Sequence, residues 1–154
     1  MRVIVLALSA VLIAPASASA LIQVDKGIAG ARLNNTKHEV RAALGKPKKV
    51  IHGSNDFGDF TEFRYRGKIR VTFQSGNHVT GVSTEGIGDR TRRGVGVHST
   101  EQKVRNKVSG ITCETFFNNV RSCHTGDYSA GSRVTDFLIE SGRVSRVTVA
   151  FVID

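Results

Sequence analysis

Apolar and polar residues alternate in two neighbouring stretches of the chain, residues 61–65 (TEFRY) and 69–73 (IRVTF). Alternation with a period of two is typical of strands that bury one face only. If Phe63 lies opposite Val71, the apolar side chains of both stretches fall on one side of a sheet, with residues 66–68 as an odd-length loop. The pattern therefore predicts an antiparallel hairpin.

A short amphipathic helix is predicted before this hairpin. Thr36 and Glu39 have the spacing of a Thr-x-x-Glu capping box, in which each side chain accepts a hydrogen bond from the backbone of the other residue. Val40 and Leu44 share one face of the helix, and Gly45 ends it. A helix this short is marginal alone, so we expect its apolar face to pack on the sheet.

One sequence pattern occurs twice, at residues 30–41 (GARLNNTKHEVR) and at residues 94–105 (GVGVHSTEQKVR). Both copies place a Gly before an aliphatic residue, a capping Thr after it, and Val-Arg beyond the Thr. Valines 79 and 82 are out of phase, which predicts a bulge near Gly81, and residues 144–147 repeat this break. We interpret the chain as two copies of one unit.

The predicted chain has three segments: a signal peptide at residues 1–20, a first repeat at residues 21–89 and a second repeat at residues 90–154. We expect an α+β fold built from the two tandem repeats. Each repeat is expected to be a short helix, or a helix pair, packed on an antiparallel sheet of three to four strands.

Residues 1–20 have the features of a secretory signal. Arg2 supplies a positive charge, residues 3–14 form an apolar run too short to span a bilayer, and the small residues 16–20 (ASASA) predict cleavage near Ala20. We expect the mature chain, with no transmembrane segment, to be secreted or to lie in the periplasmic or cell-envelope space. An uncleaved membrane anchor is the alternative.

The chain is strongly basic, with a formal net charge of +9. Loss of Arg2 with the signal would leave 21 basic and 13 acidic residues, or +8. A basic exported protein can bind polyanions such as wall polymers, acidic lipids or nucleic acid, and the charge can also serve solubility alone. The basic residues form no single long run, and we expect no specific binding to nucleic acid.

Cys113 and Cys123 are the two cysteines of the sequence, ten residues apart. In an oxidising compartment such a pair predicts one local disulfide, which should stabilise the fold by about 3 kcal/mol in the chain-entropy model. A zinc site would need further ligands at close spacing, and the neighbouring His124 does not complete a tetrahedral set. We therefore expect a disulfide, no metal and no cofactor.

Further motifs resemble two families of small exported proteins. The run Leu44-Gly45-Lys46-Pro47, with the strand patterns that follow it, resembles the SmpA/OmlA family of outer-membrane assembly lipoproteins, which pack two helices on a three-stranded sheet. Residues 99–123 resemble a repeat of the β-lactamase inhibitory protein family, whose tandem repeats each carry a local disulfide. The chain lacks the lipidated Cys of the first family and has one disulfide where the second has two.

The inhibitor resemblance implies one candidate partner-binding loop. Inhibitors of that family insert an Asp-Tyr pair into the active site of their target, and the nearest match in this chain is Asp127-Tyr128. The pair lies in the second repeat here, whereas the family carries it in the first. Asp127 and Tyr128 are therefore predicted as a contact loop by resemblance alone.

A basic strip is predicted from the register of the hairpin. If the apolar residues pair as proposed, Arg64 lies opposite Arg70 on the polar face, with Arg66 and Lys68 in the loop between them. Like charges directly opposite destabilise a sheet. The repulsion between the arginines can be offset by Glu62 or by an anionic partner. The simpler alternative is a basic face that is solvated and binds nothing.

No catalytic motif accompanies these features. The five histidines show no His-Glu-x-x-His spacing, no Gly-x-Ser-x-Gly elbow is present, and both cysteines serve the predicted disulfide. We expect an exported, non-enzymatic binding module whose partner is an unknown protein or an anionic envelope polymer. The alternatives are an inhibitor of an extracellular enzyme and a hydrolase with an unfamiliar site.

Overall fold

The computed structural model of the protein describes residues 19–153, so most of the predicted signal peptide lies outside the described residues. Within this part of the chain, an α+β fold is confirmed, in which two short helices accompany a larger number of strands, nearly all antiparallel. In chain order the elements are β1 (Leu21–Gln23), β2 (Gly27–Ile28), β3 (Ala31–Arg32), α1 (Lys37–Leu44), β4 (Lys49–Asn55), β5 (Gly58–Arg64), β6 (Ile69–Gln74), β7 (Gly81–Thr84), β8 (Arg90–Thr91), α2 (Glu101–Lys107), β9 (Ile111–Thr115), β10 (Arg121–Thr125), β11 (Arg133–Glu140) and β12 (Arg143–Phe151).

Eight strands form one large antiparallel sheet in the order β4-β5-β6-β7-β12-β11-β10-β9. Residues 21–89 supply the first four strands and residues 90–154 supply the last four. The two halves meet where β7 pairs with β12, with Val82 opposite Val149. The two predicted segments therefore contribute to a single continuous sheet.

A second, smaller sheet was not expected from the sequence. It has the order β3-β2-β1-β8, and β1 runs parallel to β8 with Leu21 opposite Arg90. Its strands have only two or three residues, which is too short for an alternating pattern to show in the sequence. β2 contacts both β7 and β12, so this sheet packs near the centre of the large one.

Both helices begin as the sequence predicts. The hydroxyl of Thr36 accepts a hydrogen bond from the backbone of Glu39, whose carboxylate accepts one from the backbone of Thr36 at 2.7 Å, completing the capping box. Gly45 ends α1 with a positive φ of 78°. Thr100 caps α2 through the backbone N–H of Lys103.

The core lies between the large sheet and the layer formed by the helices and the small sheet. Val40 of α1 and Val104 of α2 are fully buried there. Phe63 and Phe73 meet edge to face with ring centroids 4.8 Å apart, and Phe137 is fully buried in the second half. All of these residues belong to one apolar cluster, and we call the covered side of the sheet the inner face.

The predicted hairpin has the expected register. Phe63 pairs with Val71, and residues 66–68 form the turn between β5 and β6. The predicted bulge is also present, because the backbone N–H of Thr80 donates to the carbonyl of Thr72 although Thr72 is the register partner of Gly81. Two residues thus face one, as in a bulge.

The second half has a matching irregularity. The register between β11 and β12 shifts between Leu138 and Ile139, which pair with Arg146 and Val144 and leave Ser145 without a partner. The phase break predicted for residues 144–147 is therefore confirmed.

Membrane-spanning helices were not expected in the mature chain. Among residues 19–153, no helix has the length and apolar character needed to cross a bilayer.

Candidate functional site

The outer face of the large sheet, opposite the helices, presents every second residue of each strand. In β6 the residues alternate between buried and partly exposed, with Val71 buried and Arg70 on the outer face. One row of register partners crosses all eight strands on this face, and it begins with three cations and ends with polar and acidic groups. In sheet order the row is Lys49, Arg64, Arg70, Ser83, Thr148, Asp136, His124 and Thr112.

A shallow groove lies at the centre of the outer face, where the two halves meet. Its floor has small side chains, because Gly81 pairs with Ala150 and Ser83 pairs with Thr148 across β7 and β12. Larger side chains of the neighbouring strands form its walls, and the cavity has a volume of about 300 Å³. This volume is at the lower end of the range for small-ligand sites, and a groove open to solvent also suits an extended chain.

Glu85 links two arginines beside this groove. Its Oε1 lies 2.8 Å from Arg146 Nη2 and 3.4 Å from Arg70 Nη2. The hydrogen bond from Arg146 is the main cause of the lowered pKa of Glu85, and Arg70 contributes to it. The carboxylate therefore stays ionised near neutral pH, which leaves one negative charge shared by two positive ones.

Sequence reasoning missed Glu85 and Arg146 as site residues. They are 61 positions apart, with Glu85 directly after β7 and Arg146 on β12 of the other half. Only the pairing of β7 with β12 brings them together, and no local pattern predicts that pairing.

The four residues of the predicted basic strip lie at the turn end of the hairpin, and Arg70 among them lines the groove. Arg64 is opposite Arg70, as expected, and its Nε is 2.5 Å from the carboxylate of Glu62. Arg70 shares the carboxylate of Glu85 with Arg146. Arg66 and Lys68 are exposed in the turn, and within residues 19–153 neither has a carboxylate oxygen within 4.0 Å.

A second polar cluster occupies the other end of the outer face. The hydroxyl of Ser122 donates to the carboxylate of Asp136, and His124 Nε2 lies 3.0 Å from Glu114 Oε1. Burial raises the pKa of Asp136 against the opposing effect of the Ser122 hydrogen bond. Within the described residues no hydrogen bond joins Ser122 to His124, so the histidine is not placed to accept the hydroxyl proton. The hydrolase alternative gains no support from this cluster.

The predicted contact loop of Asp127 and Tyr128 makes local contacts. Asp127 Oδ1 accepts hydrogen bonds from the Ser132 hydroxyl at 2.8 Å and from the Ser129 backbone at 3.3 Å, and these bonds lower the pKa of Asp127. Tyr128 lies against the ring of His124 with centroids 4.4 Å apart. Burial, with smaller effects of nearby carboxylates, raises the pKa of Tyr128 to about 12. The carboxylate of Asp127 therefore stabilises the loop, and both residues are exposed.

Tyr128 belongs to an exposed aromatic patch that the sequence did not predict. The turn of residues 117–119, between β9 and β10, presents Phe117 with 93% of its surface exposed. Phe116 contacts Tyr128 edge to face, with centroids 5.6 Å apart, and Val120 is also exposed. We call Phe116, Phe117, Val120 and Tyr128 the aromatic tip.

The predicted disulfide is present between Cys113 and Cys123, which are direct register partners on β9 and β10. The carboxylate of Glu101 lies within 4.8 Å of both sulfurs, but the sulfurs are bonded to each other and offer no thiolate to a metal. Glu101 instead binds Arg121 at 2.6 Å and Arg105 at 2.8 Å. These contacts tie α2 to the disulfide hairpin.

Comparisons with protein-family models and with curated proteins found no match. Among solved structures, the chain is similar to a DUF4309 family protein (YjgB) from Bacillus subtilis, with 18% identity, a TM-score of 0.48, and coverage of 79% of this chain and 82% of that one. It is also similar to an extracellular protein containing an SCP domain from Bacillus anthracis, with 10% identity, a TM-score of 0.49, and coverage of 77% of this chain and 44% of that one. Both TM-scores are below 0.5. Neither description names the two families that the sequence resembles, and that resemblance stays a prediction.

We predict that Glu101 contributes to the acid sensitivity of the fold. Its pKa is lowered from 4.5 to about 2, mainly by the hydrogen bond from Arg121. A carboxylate with a depressed folded-state pKa stabilises the protein above its unfolded-state pKa, and this stabilisation is lost as the pH falls through the folded-state value. Urea unfolding of Glu101→Gln should therefore show a weaker loss of stability between about pH 4.5 and pH 2 than the wild type.

Glu140→Gln is the matched control, because Glu140 is exposed and forms no ion pair with the residues described. It should keep the pH dependence of the wild type. An equal pH dependence in wild type and Glu101→Gln would contradict the role of this carboxylate.

Proposed function

We propose that the chain is an exported, non-enzymatic binding module that binds an anionic partner, in the cell envelope or outside it, on the outer face of its large sheet. Export is supported by the predicted signal and by a disulfide, which persists in oxidising compartments. An open polar sheet face offers alternate side chains to a partner without rearrangement of the core.

The observation that carries this proposal is the excess of positive charge beside the central groove. Two carboxylates, Glu62 and Glu85, face three arginines through ion pairs, and the adjoining turn adds two further cations. Exposed ion pairs of this kind contribute little to stability, so the charges are available to a ligand. An excess of positive charge on one surface raises the local concentration and association rate of anionic partners.

We also propose that the two halves are copies of one unit. Its support is a matched set of backbone hydrogen bonds: the N–H of Asn34 donates to the carbonyl of Val79 at 3.0 Å, and the N–H of His98 donates to the carbonyl of Val144 at 2.7 Å. Asn34 and His98 both have a positive φ, at 68° and 71°. On this proposal the central groove lies at the junction of the two copies.

The aromatic tip supports a second candidate, an inhibitor of an extracellular enzyme. Exposed aromatic residues on a turn are typical anchors of protein interfaces. Phe117 is almost fully exposed, and Tyr128 of the predicted contact loop lies in the same patch. This candidate uses a different surface from the anion-binding proposal, so the two can be tested separately.

Reversal of two charges in the basic strip should weaken binding to a polyanion. Arg66 and Lys68 are suitable because neither is paired with a carboxylate of the described chain, and their replacement should leave the fold intact. We expect Arg66→Glu with Lys68→Glu to elute from a heparin or polyphosphate column at clearly lower salt than the wild type.

The matched control is Lys46→Glu with Lys48→Glu, which makes the same change in net charge in the exposed loop after α1. The proposal holds if the strip variant elutes earlier than this control. Equal elution of the two variants would mean that total charge alone governs retention, and the proposed face would be wrong.

The inhibitor candidate predicts inhibition of β-lactamases or secreted proteases by the purified mature chain. Phe117→Ser and Tyr128→Ser should each reduce the inhibition at least about tenfold, because interface anchors of this type contribute more than 1.4 kcal/mol. Asp127→Asn should have a smaller effect, since its carboxylate bonds within the loop. No inhibition at micromolar concentration would rule this candidate out for the enzymes assayed.

Processing can be tested from the contacts of Ala20. Its N–H donates to Asp89 Oδ1 at 2.8 Å, and its carbonyl accepts from the N–H of Arg90 at 3.1 Å. Cleavage after Ala20 would leave the buried carboxylate of Asp89 without this donor, which costs stability. The signal predicts cleavage near Ala20, and the intact mass of the exported protein shows whether Ala20 and its hydrogen bond to Asp89 are kept. An exported chain that retains residues 1–18 would contradict cleavage altogether.

A further inference from the structure

A second basic site lies away from the outer face of the large sheet, and its four cations are exposed to solvent. It is a cavity of about 420 Å³ between β1, the segment that follows β8, and the end of α2. Four cationic side chains line it: Lys26, Arg92, Arg93 and Lys107. We call this cavity the basic pocket.

The cations of the basic pocket have no acidic counterpart. No Asp or Glu lines the cavity, and in the described part of the chain no carboxylate oxygen lies within 4.0 Å of these four side chains. Asp25 is adjacent in sequence to Lys26, but its carboxylate accepts hydrogen bonds from the hydroxyls of Thr125 and Thr135. By contrast, the two arginines at the groove share the carboxylate of Glu85, and the two arginines beside the disulfide share that of Glu101.

The floor of the basic pocket is partly apolar, since Gln23, Thr91 and Ser109 line it together with three aliphatic residues. Ile22 and Val108 are buried members of the core, and Val24 is half-buried beside them. Arg93 Nη1 lies 3.4 Å from the carbonyl of Lys107, which holds this arginine at the end of α2. The pocket thus combines a fixed apolar surface with cations at its rim, and its volume lies in the range of small-ligand sites.

We propose that the basic pocket binds a ligand with a multiply charged phosphate group, such as a pyrophosphate, joined to an apolar group. A ligand with a single carboxylate would neutralise one of the four cations. The several negative charges of a pyrophosphate can neutralise most of them. Arginine forks bind phosphate oxygens in pairs, and lysine adds a compact charge. The aliphatic part of the floor accommodates the apolar group of the ligand. This site shares no residue with the proposed outer-face site and goes beyond that function.

The test measures binding of inorganic pyrophosphate to the mature protein by calorimetry at physiological salt. Lys26→Gln with Arg92→Gln is the pocket variant, because these side chains form no hydrogen bond within the described chain and the fold should tolerate their loss. We expect its affinity for pyrophosphate to fall at least about tenfold. Lys46→Gln with Lys48→Gln removes the same charge from the exposed loop after α1, outside both proposed sites, and should change the affinity by less than about twofold.

A second arm identifies the source of the phosphate. Flotation with vesicles of phosphatidylcholine and phosphatidic acid tests a lipid headgroup, and pyrophosphate is added as a competitor. Vesicle binding that needs the pocket residues and is displaced by pyrophosphate supports the proposal with a lipid source, while binding of pyrophosphate alone supports it with a soluble source. Equal losses in the two variants, or no binding of either probe to the wild type, would overturn the proposal.

Discussion

The pairing of β7 with β12 is the interaction on which the rest of the structure depends. It joins four strands from each half of the chain into one sheet. On the inner face it buries Val82 against Val149 in the common core, and on the outer face it sets Ser83 beside Thr148. Because successive residues point to opposite faces, the same four pairs determine both the apolar core and the polar groove.

The candidate site follows from this junction. Small residues at the centre of the sheet leave a groove, and Glu85 of one half is shared by Arg70 and by Arg146 of the other half. The positive charges around the groove outnumber the carboxylates that neutralise them. The core beneath the groove provides a rigid support. Arg64, Arg70 and Arg146 lie on paired strands, which hold side chains more precisely than the turn that carries Arg66 and Lys68. The aromatic tip and the basic pocket, which lie elsewhere, offer surfaces of different chemistry on the same scaffold.

Local features of the fold could be predicted from the sequence, and long-range ones could not. The capping box of Thr36, the hairpin that sets Arg64 opposite Arg70, and the disulfide each depend on residues fewer than about a dozen positions apart. The ion pair of Glu85 with Arg146 depends on a strand pairing that joins the two halves. The small sheet escaped prediction for another reason, since its strands are too short to show a period. The basic pocket requires the same kind of distant contact, between the first strand and the end of α2.

Native-state hydrogen exchange of the mature protein tests the central claim most directly, since it measures the opening free energy of each strand pair. If β7 and β12 hold the two halves in one sheet, the backbone amides that join them should exchange as slowly as those within β6 and β11. All of these amides should then have the same opening free energy, that of global unfolding, and it should decrease equally for all of them as denaturant is added. Exchange between β7 and β12 that is much faster than within either half would show that the halves fold as separate units, and would contradict the account.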